Sequence, residues 1–242
     1  MLTSIVQFAI PAFMHNAWHL PFNTRLRIIG DVHGDYAAFA RAVDTDRFVI
    51  QLGDLTDHGP DSAGVLRLMF RLIDQRRGLF LLGNHDFKLA KALVGRAVKI
   101  SPELQKTLDV LDTATAKRAV FEITRAPAWL CWKNAIFVHG GFHPAMLETA
   151  PKLPNPVAKG HGDEVFDRAL YAQPTGNLRP DGHLERSLAW VDQIPAGITV
   201  YCGHDRVSQN GHPFVKHGLA GGTAVFLDTG AGKGGKLSWI DI

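Results

Sequence analysis

The sequence predicts an α/β sandwich, and three observations carry that prediction. Short apolar runs recur, "RLRIIGD", "RFVIQLGD" and "GLFLLGN", each closing on glycine and a polar side chain. Helical patterns separate them: "DYAAFARAVD", then "DSAGVLRLMFRLIDQRR" with apolar positions at i, i+3, i+4 and i+7. Two later runs, "NAIFVHG" and "GITVYCGH", repeat the pattern of strand followed by glycine. Strand, helix, strand at this spacing implies right-handed βαβ units in a buried sheet. The loops then gather at strand ends, the crevice where open α/β sheets bind ligands.

The remaining elements follow in order. Residues 84–119 read as mostly helical with a break at "ISPEL", where Ser101 caps a helix and Pro102 takes its first position. Residues 142–190, rich in Pro, Gly and His, are expected to form a less regular cap with a helix from His183 to Val191. The end, "TAVFLDTGAGKGGKLSWIDI", reads as two strands around a glycine-rich turn. The N-terminal "MLTSIVQFAIPAFMHNAWHL" lacks a basic leader region, and Gln7 and Pro11 interrupt it. It falls short of the roughly 20 apolar residues of a membrane span. The expected division is an extension, residues 1–24, packed on one domain of residues 25–242.

Composition narrows the function classes. A chain of 242 residues, 46% hydrophobic and 20% charged, is an ordinary soluble domain. A net charge of +3 suits acidic or phosphorylated substrates but is too weak to signal nucleic-acid binding. Two cysteines, Cys131 and Cys202, make no disulfide framework, so a reducing, cytoplasmic location is expected. Twelve histidines enrich the chain in metal-binding and acid–base groups.

The chemistry lies in five blocks: "GDVHG" (30–34), "GDLTDHG" (53–59), "GNHD" (83–86), "VHGG" (138–141) and "CGHD" (202–205). Singly, an aspartate after a strand is usually a turn residue or helix cap. Together, five strand ends deliver oxygen or imidazole donors in glycine-opened loops, and that set points to metal. Carboxylate, imidazole and amide donors suit Mn, Fe or Zn, and the lack of cysteine among them argues against a closed structural zinc site.

These blocks resemble the phosphoprotein phosphatase branch of the calcineurin-like metallophosphoesterases, from about residue 26 to the end. "GDLTDHGPDSAGVLRLM", "GNHDFKLAKALVGRAV", "YAQPTG" and "LDTGAGKGGKLS" are similar to two small bacterial groups. These are the phosphatase domain of polynucleotide kinase-phosphatases and the diadenosine-tetraphosphatase-type enzymes. The resemblance implies two mixed β-sheets flanked by helices, with a small cap, and a phosphoester hydrolase using two divalent metal ions. Manganese is the first expectation, with iron or zinc as alternatives.

Carried over residue by residue, the resemblance implies that Asp31 and His33 bind the first ion and Asp54 bridges both. Asn84, His139 and His204 complete the second. Such a pair, roughly 3.5–4 Å apart, activates a hydroxide for in-line attack. His85 is implied as the general acid and Asp57 as the partner that orients it. Asp228 matches a supporting position beside the ligands, and Arg186 an arginine that contacts phosphate. His58 departs from the family's Asp-Arg-Gly. A histidine there offers one good phosphate contact, and full charge only below about 6.5 if unperturbed. Binding of simple phosphomonoesters is therefore expected to improve as pH falls. A shared scaffold does not fix substrate. The leading expectation is a serine/threonine-phosphatase-like enzyme on phosphoproteins. The alternatives are a bis(5'-nucleosyl)-tetraphosphatase acting on dinucleoside polyphosphates and a nucleotide or polynucleotide phosphatase. A non-catalytic binding module of the same fold is the remote alternative.

Overall fold

Strand β1 (Leu26–Ile29), helix α1 (Tyr36–Ala42), strand β2 (Phe48–Gln51), helix α2 (Ser62–Asp74) and strand β3 (Gly78–Phe80) open the computed structural model. It describes residues 20–158, 163–178, 184–208 and 210–242. The three strands pair in parallel, Ile28 beside Ile50 and Ile50 beside Leu79. Each helix starts on an aspartate: Asp35 accepts from Ala38 N at 3.0 Å and Asp61 from Gly64 N at 2.7 Å. Three helices follow, α3 (Asn84–Leu93), α4 (Pro102–Val110) and α5 (Thr113–Ile123). Ser101 does cap α4, its Oγ accepting from Leu104 N at 3.3 Å, with Pro102 next.

The second half adds β4 (Trp129–Trp132), β5 (Ala135–Val138), a 3-10 turn at Pro144–Leu147 and α6 (Glu164–Tyr171). A hairpin of β6 (Gln173–Leu178) and β7 (Leu184–Ser187) leads through a 3-10 turn, Ala189–Gln193, to β8 (Thr199–Cys202). Strands β9 (Phe214–His217), β10 (Thr223–Phe226) and β11 (Trp239–Asp241) complete it. Two mixed sheets result, ordered β11-β1-β2-β3 and β4-β5-β8-β10-β9. Strand alternation sends Leu26, Ile28, Ile50 and Leu79 of one sheet against Leu130, Phe137, Tyr201 and Val225 of the other. Ile29, Val49 and Phe80 join the larger core with Phe39, Leu66 and Met69 of α1 and α2. Each such side chain stabilises the fold by roughly 1.5–3 kcal/mol.

One expectation needs correction. Leu184–Ser187 is a strand and Ala189–Gln193 a 3-10 turn, so no regular helix runs to Val191; His183 lies outside the described residues. Cross-strand partners overrule the helical look of "HLERSLAW": Gln173 pairs with Ser187, and Thr175 Oγ1 donates to Glu185 Oε2 at 2.8 Å. The C-terminal segment does form two strands around a glycine-rich turn, but the two do not pair with each other. Strand β10 is flanked on both sides, by β8 and β9, so β11 pairs instead with β1 in the other sheet. The glycine-rich segment between them therefore crosses from sheet to sheet. Residues 1–19, most of the expected extension, lie outside the described residues. Among the described residues no helix is long and apolar enough to cross a membrane.

Candidate active site

Every block ends a parallel strand at its carboxyl end. Asp31 follows β1, Asp54 follows β2, Asn84 follows β3, His139 follows β5, His204 follows β8 and Asp228 follows β10. The ends of the two sheets meet here. His204 N donates to both oxygens of Asp31 at 3.1 Å, and His139 N–H at Nδ1 donates to Leu52 O at 2.9 Å. Contact is close enough that a Cβ at Gly203 would stand 2.1 Å from Asp31 Oδ1. Positive φ values at His33 (45°), Asp54 (58°), Asp57 (73°), His58 (59°) and His204 (62°) concentrate backbone strain at these turns.

Two groups of donors share one oxygen. Asp54 Oδ2 lies 3.6 Å from His33 Nε2 and 3.4 Å from His139 Nε2. Asp31, His33 and Asp54 form one group; Asp54, His139 and His204 form the other. Asn84 Oδ1 enters the second, 3.0 Å from His139 Nε2 and 2.9 Å from His204 Nδ1. Backbone carbonyls hold the far ring nitrogens, Thr56 O for His33 at 3.0 Å and Leu52 O for His139, so both present Nε2.

The donors fit cations. His33 Nε2 is buried without a hydrogen-bond partner. Asp31, Asp54, Asp57, Asp86 and Asp228 are all buried at these strand ends. Among the described residues no lysine or arginine forms an ion pair with any of them; only histidines do. Burying that much negative charge is costly without a compensating cation. Burial and the neighbouring charge of Asp228 raise the pKa of Asp31 well above the usual carboxylate range.

Calcineurin-like phosphoesterases share a sequence pattern that matches residues 24–214. The chain belongs to this family. Among its relatives is the asymmetrical bis(5'-nucleosyl)-tetraphosphatase PrpE of Halalkalibacterium halodurans, 26% identical, with 87% of each chain covered. The PrpE of Bacillus mycoides is also 26% identical, over 88% of each chain. In fold, the phosphoesterase is similar to a solved candidate diadenosine tetraphosphatase (TM-score 0.60, 24% identity, 92% and 91% of the two chains). It is similar as well to a serine/threonine phosphatase from Saccharomyces cerevisiae (TM-score 0.59, 15% identity, 86% and 68% covered). Membership makes the protein a metal-dependent phosphoester hydrolase of α/β sandwich fold.

Beside the shared donors, His85 Nδ1 lies 2.6 Å from Asp57 Oδ2. Burial works against a charged His85, but Asp54 and the hydrogen bond and charge of Asp57 outweigh it and raise its pKa. Asp57 is held in turn: Thr107 Oγ1 of α4 donates to its Oδ1 at 2.8 Å, and its N–H donates to Ser62 Oγ at 3.0 Å. Thr107 was not legible as a site residue, since helix α4 reaches Asp57 only after folding, and Ser62, five residues past Asp57, read only as the start of α2. On the other side Arg186 Nε approaches His204 Nε2 at 3.4 Å, from the hairpin strand β7. Asp228 Oδ1 accepts from Gly230 N at 2.9 Å and fixes the start of the glycine-rich turn.

His58 is the correction here. Burial, then the charge of Lys233, then that of His85 push its pKa down to about 4. It is neutral throughout the range from pH 6 to 8, and a cation held by nearby His33 would push the same way. The expected gain in phosphate binding at lower pH therefore has no basis in His58.

Asp86 was also missed, although it sits inside "GNHD". Fully buried, it accepts from Asp54 N at 2.8 Å and Leu55 N at 3.0 Å, and so fixes the strained turn carrying the shared donor. Asp86→Ala is expected to lower the stability of the metal-free protein by about 2–4 kcal/mol, because two buried N–H groups lose their acceptor. Asp86→Asn, keeping one acceptor oxygen, should fall between. Urea midpoints of the three proteins check this; equal midpoints would remove Asp86 from the scaffold.

Proposed function

We propose that this phosphoesterase hydrolyses dinucleoside polyphosphates, cutting a bis(5'-nucleosyl) tetraphosphate asymmetrically. The observation that carries the chemistry is the double donor group sharing Asp54 Oδ2. The substrate class is supported by the names of the relatives that match along most of the chain.

In this reading Asp31, His33 and Asp54 would hold one divalent cation, and Asp54, Asn84, His139 and His204 would hold a second. Such cations, with manganese our choice from the mixed oxygen and nitrogen donors, would supply Lewis acidity to activate water and neutralise charge on phosphoryl oxygens. The chain's own residues do the rest. Asp57 accepts the hydrogen bond from His85 Nδ1–H and fixes the ring, leaving Nε2 to exchange a proton. Against the opposing effect of burial, Asp54 and Asp57 raise the pKa of His85, the direction a general acid needs. As the bond from phosphorus to the bridging oxygen breaks, His85 gives its proton to the departing phosphate oxygen. Arg186 stands at the His204 side, where its guanidinium can hold an adjacent phosphate. The two free cysteines suit action in the cytoplasm.

The test is a substrate panel in one manganese buffer: diadenosine tetraphosphate, p-nitrophenyl phosphate, a phosphothreonine peptide and a 5'-phosphorylated oligonucleotide. The expected result is the highest kcat/KM on diadenosine tetraphosphate, giving AMP and ATP. Two ADP as products, or a preference for the peptide or oligonucleotide, would replace this substrate assignment.

A further inference from the structure

The glycine-rich crossing between β10 and β11 carries a cation to the site. Residues 230–235 turn back on themselves, with Lys233 N and Gly235 N both donating to Gly230 O, at 3.0 and 2.8 Å. Thr229 Oγ1 donates to Lys236 O at 2.5 Å and closes the turn. The turn presses Gly232 onto His33. A Cβ at 232 would meet His33 O at 2.1 Å and His33 Cβ at 2.7 Å, and φ is +69°, so glycine alone fits. Lys233, the next residue, therefore stands at the rim of the donor cluster. It is exposed, and among the described residues it forms no ion pair within 4.0 Å.

Three imidazoles line the same side. Ring centroids lie 4.8 Å apart for His33 and His58, 5.0 Å for His33 and His85, and 5.3 Å for His58 and His85. An imidazole at position 58 brings a hydrogen-bonding nitrogen but neither the permanent charge nor the planar fork of an arginine. The field of Lys233 supplies what is missing there: it bears on His33, His58, His85, His204, Asp31 and Asp228 together.

We propose that Lys233 binds the phosphate group under attack, from the side of His33 and His58, supplying a permanent positive charge from the glycine turn. The inference rests on the phosphoesterase reading above and adds a substrate-binding residue to it. A lysine ammonium is a mobile point charge with three donors, whereas an arginine fork demands one planar orientation. It suits a polyphosphate chain, whose successive groups present similar oxygens. Lys233 at the His33 side and Arg186 at the His204 side then flank such a chain.

The experiment compares wild type, Lys233→Met, Lys233→Arg and a Lys236→Met control, all manganese-loaded. Metal content is measured, with KM and kcat for diadenosine tetraphosphate and direct calorimetric binding of inorganic phosphate. Losing one charge-assisted contact is expected to weaken phosphate binding and raise KM about 10- to 100-fold. Metal content and kcat should move less than about threefold, Lys233→Arg should recover most of the affinity, and Lys236→Met should match wild type. Unchanged phosphate binding in Lys233→Met, or an equal loss in Lys236→Met, would overturn the proposal. Phosphate binding that depends on Lys233 in a protein inert toward every ester would sink the substrate reading and leave this inference standing.

Discussion

Asp54→Asn is expected to remove at least one of two bound metal ions per chain and to lower turnover by roughly 10³-fold or more. The geometry decides which atom is lost. Asp54 Oδ1 accepts from His85 N at 2.9 Å, so an asparagine must keep its oxygen there. Its NH₂ group then occupies the place of Oδ2, the atom that faces both His33 and His139. An amide NH₂ cannot ligate a cation, and the negative charge is gone as well. His143→Ala is the control. His143 caps a 3-10 turn, Nδ1 accepting from Ala145 N at 3.2 Å, and lies 3.8 Å from Glu164. It should keep both metals and near-normal rates. Metal analysis and turnover of the two variants check the assignment, which falls if Asp54→Asn retains two ions and normal activity.

His85→Ala is expected to act through the leaving group. General acid catalysis contributes typically ~10²–10⁴-fold, and most where the departing oxygen is a poor leaving group. An alkyl phosphate should therefore lose close to that full factor. Turnover of p-nitrophenyl phosphate, whose phenolate leaves with little help, should fall far less. Asp57→Asn should show the same substrate dependence in weaker form, because it leaves His85 in place but without its carboxylate. Equal losses on both substrates, with metals retained, would make His85 a positioning residue instead.

The strands, the helices between them and the donors at their ends were legible because each is a local pattern. An apolar run, a glycine and a ligand-type side chain occupy fewer than ten residues, and the βαβ spacing orders them. Strand β6 was not legible, since Pro174 and Gly176 hide it, nor was β7, whose extended form depends on partners in β6.

By itself the sequence marked which side chains could serve as ligands and that they would gather at strand ends; it was the family resemblance that implied roles for His85 and Asp57 beside them. Only the tertiary structure decided how those groups are supported and charged. Thr107 reaches Asp57 across 50 residues of sequence, and His204 N reaches Asp31 across 173. The crossing of β10 and β11 between sheets, set by which strand edge was free, brings Gly232 onto His33 and Lys233 to its rim. The lowered pKa of His58 likewise sums burial and charges from distant segments, Lys233 and His85 among them. Local pattern names the donors; distance, burial and field in the folded chain settle what each one meets.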